Sequence, residues 1–168
     1  MTENGVTRLP VLPAGYRGYR VGFATLRDLW AIGRLERVVF LEPMPWAALW
    51  QAWRHPRARW IVVRDRSRLA AYFGFEVVGG FAHVFANVTH PRYRRQGLAR
   101  FLLTAAEPVA EDLGAGAFVG EVRAGNRAQL HLLQTIGWQV IGRRPHFFKN
   151  GEDALLVFKP FFDPLHTP

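Results

Sequence analysis

Apolar residues follow two rhythms along this chain. Leu26, Leu29, Ile32, Leu35 and Val39 recur three and four apart, as do Leu98, Phe101, Leu102, Ala105, Val109 and Leu113, the spacing that lines up one face of a helix. Elsewhere the apolar residues come in short runs bounded by glycine, proline or charge, which read as strands: Tyr19 to Ala24, Trp60 to Val63, Leu69 to Val78, Phe81 to Val88, Ala117 to Val122, Trp138 to Ile141 and Ala154 to Phe158.

Local signals set the boundaries. Thr25-Leu26-Arg27-Asp28 is a capping-box start with Asp in place of the usual Glu or Gln. Pro45 can open a second helix running to about Trp53, since proline is pre-set for a first helical turn. Gly79-Gly80 between two strands predicts a tight hairpin, because glycine accepts the positive φ of such turns. Pro108 removes one hydrogen bond from the long helix and predicts a kink there. Asn126 caps a last helix that Gly137 stops, and Asn150-Gly151 turns between the final strands. The order predicts one α/β domain over residues 16–160, with a mixed, mainly antiparallel central sheet flanked by helices. Residues 1–15 read as a flexible lead-in and 161–168 as a flexible tail.

The chemistry concentrates in Asn87 to Leu103, where a strand passes through a basic turn into the long helix. The first amides of a helix lack internal partners and sit at the positive end of its dipole, so an anion docks there. Gly97 allows close approach, and Arg94, Arg95 and Arg100 add guanidinium forks that suit phosphate. The segment predicts a pyrophosphate site; the plain alternative is a βα turn with solvated arginines.

Composition narrows the rest. At 168 residues and 49% hydrophobic content, the chain can bury a core as one domain. The absence of cysteine excludes disulfides, thiolate metal sites and cysteine nucleophiles. No histidine pair has metal spacing with a carboxylate, so no metal is expected. The start, MTENGVTRLP, lacks signal-peptide character and no apolar run has membrane-spanning length, so the expectation is a cytoplasmic protein with no membrane partner. A formal charge of +9, with only Lys149 and Lys159 as lysines, suits an anionic cosubstrate. The arginines are scattered, so nucleic acid is not the expected partner; a homodimer is left open.

At Arg94, Gly97 and Ala99, which fill [RQ]-x-x-G-x-[GA] after a strand, the chain resembles the GNAT acetyltransferase superfamily. Glu121-Val122-Arg123-Ala124-Gly125-Asn126, then Leu130 through Gly137-Trp138, is similar to E-V-R-x-x-N…L-Y-E-x-x-G-F of its ribosomal-protein alanine N-acetyltransferase branch. Arg143 to Phe148, Glu152-Asp153-Ala154 and the Phe40 to Trp46 stretch are similar to that branch too, so the likeness spans about residues 19 to 160.

The resemblance implies an enzyme, an N-acetyltransferase that uses acetyl-CoA as cosubstrate and transfers acetyl directly to a primary amine of a peptide N-terminus or an apolar molecule. It implies that Asn87, Val88 and Thr89 offer backbone to the pantetheine arm. Arg94, Arg95, Gln96, Gly97, Leu98, Ala99 and Arg100 would hold the pyrophosphate, Asn126 would touch CoA again, and Glu121 would be the general base. For Glu121 the residues leave an ion pair with Arg123 or another arginine open; for Asn126, a plain helix cap. The chain departs from the family at Leu133, where the family has a tyrosine that protonates the departing thiolate, and at Phe147 and Phe148, which replace tyrosines. Trp46 and Phe147 are candidate walls of an apolar acceptor pocket, with a core role for the tryptophans as the alternative. Two other functions stay open: a CoA-binding regulatory module without turnover, and acetylation of a small-molecule amine.

Overall fold

The computed structural model describes residues 12–162; the outer parts of the expected lead-in and tail, residues 1–11 and 163–168, lie outside them. The elements in order are β1 (Gly15–Tyr16), β2 (Tyr19–Phe23), α1 (Leu26–Val39), α2 (Trp46–Arg54), β3 (Ala58–Asp65), β4 (Arg68–Val78) and β5 (Phe81–Thr89). They continue with α3 (Leu98–Asp112), β6 (Ala117–Arg123), α4 (Arg127–Thr135), β7 (Gln139–Arg144) and β8 (Ala154–Pro160). Eight strands form one sheet in the order β1-β2-β3-β4-β5-β6-β8-β7. Every neighbouring pair is antiparallel except β5 and β6, which are joined through α3, the kind of crossover that parallel strands require. The mixed, mainly antiparallel α/β fold expected from the sequence is the fold observed.

The boundary signals act as read. The Asp28 carboxylate accepts from the Thr25 backbone N–H at 2.6 Å and from its hydroxyl at 2.8 Å, closing the start of α1. Asn126 accepts from the Gln129 N–H at 3.2 Å at the head of α4, and Gly137 takes φ +86° behind it. Gly79 and Gly80, both at positive φ, turn β4 into β5. At the edges the order reaches beyond the expected domain limits. Gly15 pairs with Arg20 in the sheet, and Phe161 packs edge-on to Phe118 with ring centroids 4.8 Å apart.

The sheet separates two cores. On one face α3, with Leu98, Leu102, Leu103, Ala106 and Val109, covers Ile61, Phe73, Phe75 and Phe118, and Leu133 of α4 joins that cluster. On the other, Leu29, Ile32 and Leu35 of α1 and Leu49 of α2 cover Trp60, Val62, Tyr72, Ala86 and Val88. Burying a side chain of this size contributes about 1.5–3 kcal/mol, so both helix layers are held chiefly by their apolar faces.

Candidate active site

The site begins where two strands part. β5 and β6 pair from Phe81↔Ala117 to Val84↔Gly120 and no further, although β5 runs on to Thr89 and β6 to Arg123. A bulge coincides with the break: Phe75 faces Val84 and Gly74 faces Ala86, leaving Phe85 as the extra residue of β5. Its ring lies over Gly74, where any Cβ would stand 2.2 Å from it. The bulge bends β5 away and flips the alternation, so that Asn87 stands opposite Phe73 on the α3 side and Val88 opposite Tyr72 on the α1 side.

The gap is a cavity of about 660 Å³ that passes through the sheet. Glu36, Phe40, Met44 and Phe85 line it on the α1 side. Leu103, Gln129, Leu133, Trp138 and Val157 line it on the α3 and α4 side, with Asn87, Gly120, Glu121 and Asn126 between. The Asn87 amide and the Thr89 hydroxyl are buried without a hydrogen-bond partner in the protein. Such groups cost about 1–3 kcal/mol each unless something satisfies them; Asn87 belongs to the cavity lining, and Thr89 lies two residues further along β5.

At the far end of β5, a 3-10 turn (Pro91–Tyr93) leads into α3. Arg95 (φ +61°) and Gly97 (φ +79°) are left-handed there, and Gly97 is the N-cap of α3. Left-handed residues beside a helix start turn successive amides toward one point, which makes an anion-binding concavity. A Cβ on Gly97 would stand 2.8 Å from the Tyr16 hydroxyl. Gln96 accepts from the Tyr19 hydroxyl. Leu98 is buried in the α3 core and Ala99 half-buried. Arg94, Arg95 and Arg100 are exposed, and among the described residues their side chains have no recorded ion-pair or hydrogen-bond partner, so their charge is free for a ligand.

Glu121 lines the cavity at its rim, its side chain about one-third exposed (33%). Its ion-pair partner is Arg144, at a loose 3.4 Å, and not Arg123. Arg123 instead bonds to Glu152 at 3.0 Å and lies 3.9 Å over the Phe148 ring. Asn126 caps α4 and also lines the cavity. Leu133 is buried, lines the cavity, and brings no hydroxyl to it.

The acceptor side differs from the sequence expectation. Trp46 does not line the cavity; it stacks on Trp30 outside it, centroids 4.7 Å apart, because the N-terminus of α2 lies over α1. Trp50 and Trp53 pack on the core and on each other. Phe147 is exposed beside Arg144, and Phe148 is the phenylalanine that reaches the cavity. His146 is tied into the β7–β8 loop, its N–H donating to Asp153 at 2.8 Å.

The roles of two lining residues, Glu36 and Phe85, were not read from the sequence. Glu36 is buried, accepts from the Tyr72 hydroxyl, and accepts from the Met44 N–H at 2.9 Å. Burial, and then the Glu36 carboxylate, push the pKa of that tyrosine well up, so it stays a donor. The available signal was a carboxylate on the apolar face of α1. Phe85 had none, since a bulge shows only when two strands are paired. Among the described residues no three His, Asp or Glu side chains gather as a metal site, and no helix is long and apolar enough to cross a membrane.

The geometry is a sheet that parts around a cavity, with a helix N-terminus and exposed arginines at the end of one of the parted strands. The sequence model of the acetyltransferase (GNAT) family matches residues 24–138, and the chain belongs to that family. The N-alpha-acetyltransferase RimI of Mycobacterium tuberculosis is 27% identical over 151 residues, 86% of this chain and 94% of the relative. The ribosomal protein bS18-alanine N-acetyltransferase of Escherichia coli K12 is 31% identical over 99 residues, 57% of this chain and 67% of the relative. The crystal structure of the ribosomal-protein-S18-alanine N-acetyltransferase from Escherichia coli superposes with a TM-score of 0.78 at 24% identity, over 89% of this chain and 99% of that one. The chain is therefore an N-acetyltransferase.

Proposed function

We propose that this enzyme takes acetyl from acetyl-CoA and passes it directly to a primary amine, with a peptide N-terminus as the acceptor class. The observation that carries the reading is the parting of β5 from β6 at Val84 and Gly120, with buried, unpartnered Asn87 and Thr89 on the freed strand. The order of the groups suits the cosubstrate: a free strand edge for the amides of pantetheine, and at its end the amides of Gly97, Leu98 and Ala99 with Arg94, Arg95 and Arg100 for the pyrophosphate. Bound there, acetyl-CoA supplies an activated thioester.

The chain's own groups do the rest. Backbone N–H groups along the freed part of β5 polarise the acyl carbonyl, a fixed donor that needs no reorganisation as charge develops. Glu121 takes one proton from the substrate ammonium, directly or through water; the neutral amine nitrogen then bonds the acyl carbon as the C–S bond breaks, and the second proton that this nitrogen sheds goes to solvent. The thiolate leaves without an acid from α4, since Leu133 has no proton to give. A thiol of pKa near ~8.5 leaves tolerably in this way. No serine, threonine or cysteine stands in the cavity lining, and its one lysine, Lys149, is paired with Glu42 at 3.8 Å, which favours transfer within a ternary complex.

Calorimetry with CoA tests the site. Gly97→Glu, which sets a carboxylate among the cradle amides, is expected to abolish binding; unchanged affinity would refute the cradle. Glu121→Gln should keep CoA affinity while lowering kcat by about 10²-fold or more, measured by thiol release with peptide acceptors.

A further inference from the structure

α1 has two faces of opposite character. Asp28, Leu29, Ile32, Leu35 and Glu36 turn inward, and both acids are used there, Asp28 by Arg64 and Glu36 by Tyr72. Leu26, Arg27, Trp30, Arg34, Arg37 and Val38 turn outward, within about a third of the helical circumference. Trp30 is 66% exposed, Val38 60%, and Leu41 just past the helix end 93%. Trp46, stacked on Trp30, carries the apolar surface onto α2. Phe40, the residue directly after α1 and 40% exposed, also lines the cavity, so the C-terminal end of the helix lies beside it.

Exposed aromatic and aliphatic side chains grouped this way mark an interaction surface. Every exposed charge on α1 is positive: Arg27, Arg34 and Arg37. Two-fold pairing of this face with a second copy would set these arginines against their own equivalents, in a chain that already carries +9. Nucleic acid would match the arginines but would leave Leu26, Val38 and Leu41 against sugar and phosphate. A polypeptide stretch that mixes acidic and apolar side chains matches both.

We propose that the outer face of α1 is a docking surface for an acidic, apolar segment of the polypeptide that carries the acceptor amine. The enzyme then grips its substrate twice, by the amine in the cavity and by the segment on α1. This rests on the reading of the cavity as the site of amine acetylation. The 14 residues of α1 span about 21 Å at 1.5 Å per residue, a reach that about seven extended residues cover. Peptides shorter than that cannot follow the face over its length. The second contact raises the effective concentration of the amine without touching the chemistry.

The test uses peptides that share one N-terminal sequence: a short form of about four residues, and forms of about twenty residues whose extensions are acidic and apolar, basic, or neutral and polar. With the wild type, the acidic-apolar extension is expected to raise kcat/KM over the short form by about tenfold or more, and added salt to reduce the gain. Trp30→Ala and Arg34→Glu, both at exposed positions away from the cavity, should remove the gain while leaving the short peptide's kcat/KM unchanged. Equal kcat/KM for all extensions, or equal loss on short and long peptides in the variants, would overturn the docking surface. A fluorescent single-stranded RNA that binds the wild type and not these variants would overturn it in favour of nucleic acid. A dimer that sediments as a monomer only in Trp30→Ala would overturn it in favour of self-association. Anisotropy of a labelled acidic-apolar peptide reads docking without turnover, with binding expected to the wild type and absent in both variants. Docking without acetylation of any peptide would therefore fault the reading of the cavity alone, and acetylation without docking would fault this surface alone.

Discussion

Glu36 shows how one carboxylate shapes a substrate wall without being part of the chemistry. It is 4% exposed, yet it is satisfied on both oxygens, by the Tyr72 hydroxyl of the central sheet and by the Met44 N–H of the α1–α2 connection. Through it the connection that carries Phe40, Pro43 and Met44 into the cavity is tied to the sheet. Removing the hydroxyl leaves a buried carboxylate short of a donor, which costs about 1–3 kcal/mol. Tyr72→Phe is accordingly expected to lower the midpoint of urea denaturation and to raise KM for the acceptor, while calorimetric affinity for CoA stays as it was. Loss of CoA affinity with normal acceptor KM would show that the tyrosine serves the other half of the site.

The opposite wall is an element-scale matter, because the loop from β7 to β8 is held by carboxylates that must stay ionised. Glu152 accepts from the Gly125 N–H at 2.9 Å and from Arg123, and those bonds hold its pKa below the usual range. The His146 N–H and then Arg143 do the same for Asp153. Asp28, at the head of α1, has burial working to raise its pKa, but bonds from Arg64 and Thr25 outweigh it and leave it lowered. A carboxyl whose folded pKa is depressed contributes stability above its unfolded pKa, and that stability is lost as pH falls through the folded value. Thermal stability is therefore expected to be level through neutral pH and to decline below about pH 4. The decline should be shallower in Glu152→Gln, which has already lost its share; an identical acid limb in that variant would contradict the assignment. These elements were themselves readable in the sequence. The helical spacing of α1 and α3, the Thr25–Asp28 box, the Asn126 cap and the Gly79-Gly80 turn depend on residues within a few positions of each other. The insertion of β8 between β6 and β7, the Phe85 bulge, and the stacking of Trp46 on Trp30 depend on partners far along the chain, and neither periodicity nor propensity carries that information. The strand-to-helix turn at Arg94 to Arg100 was legible because its residues are contiguous, whereas Trp46 was misread because its neighbour comes from another helix.

At the scale of the molecule, the sheet is two antiparallel sections, β1 to β5 and β6 to β8, joined along a four-residue parallel seam. Past the seam and the Phe85 bulge, β5 has a partner on one side only, from Ala86 to Thr89. An edge inside a protein is not the same as an edge at its border, for here it faces a cavity with walls on both sides of the sheet. In the free enzyme the amides of this stretch that turn to the gap have no strand to shield them, and they should exchange with deuterium as readily as a fraying terminus does. CoA bound as proposed would run alongside β5 and amount to a ninth strand. Deuterium uptake over residues 85–89 should slow on adding CoA, while uptake over the already paired β3 stays unchanged. The same measurement on Gly97→Glu should show no slowing, because a strand that cannot be anchored at its phosphate end does not stay.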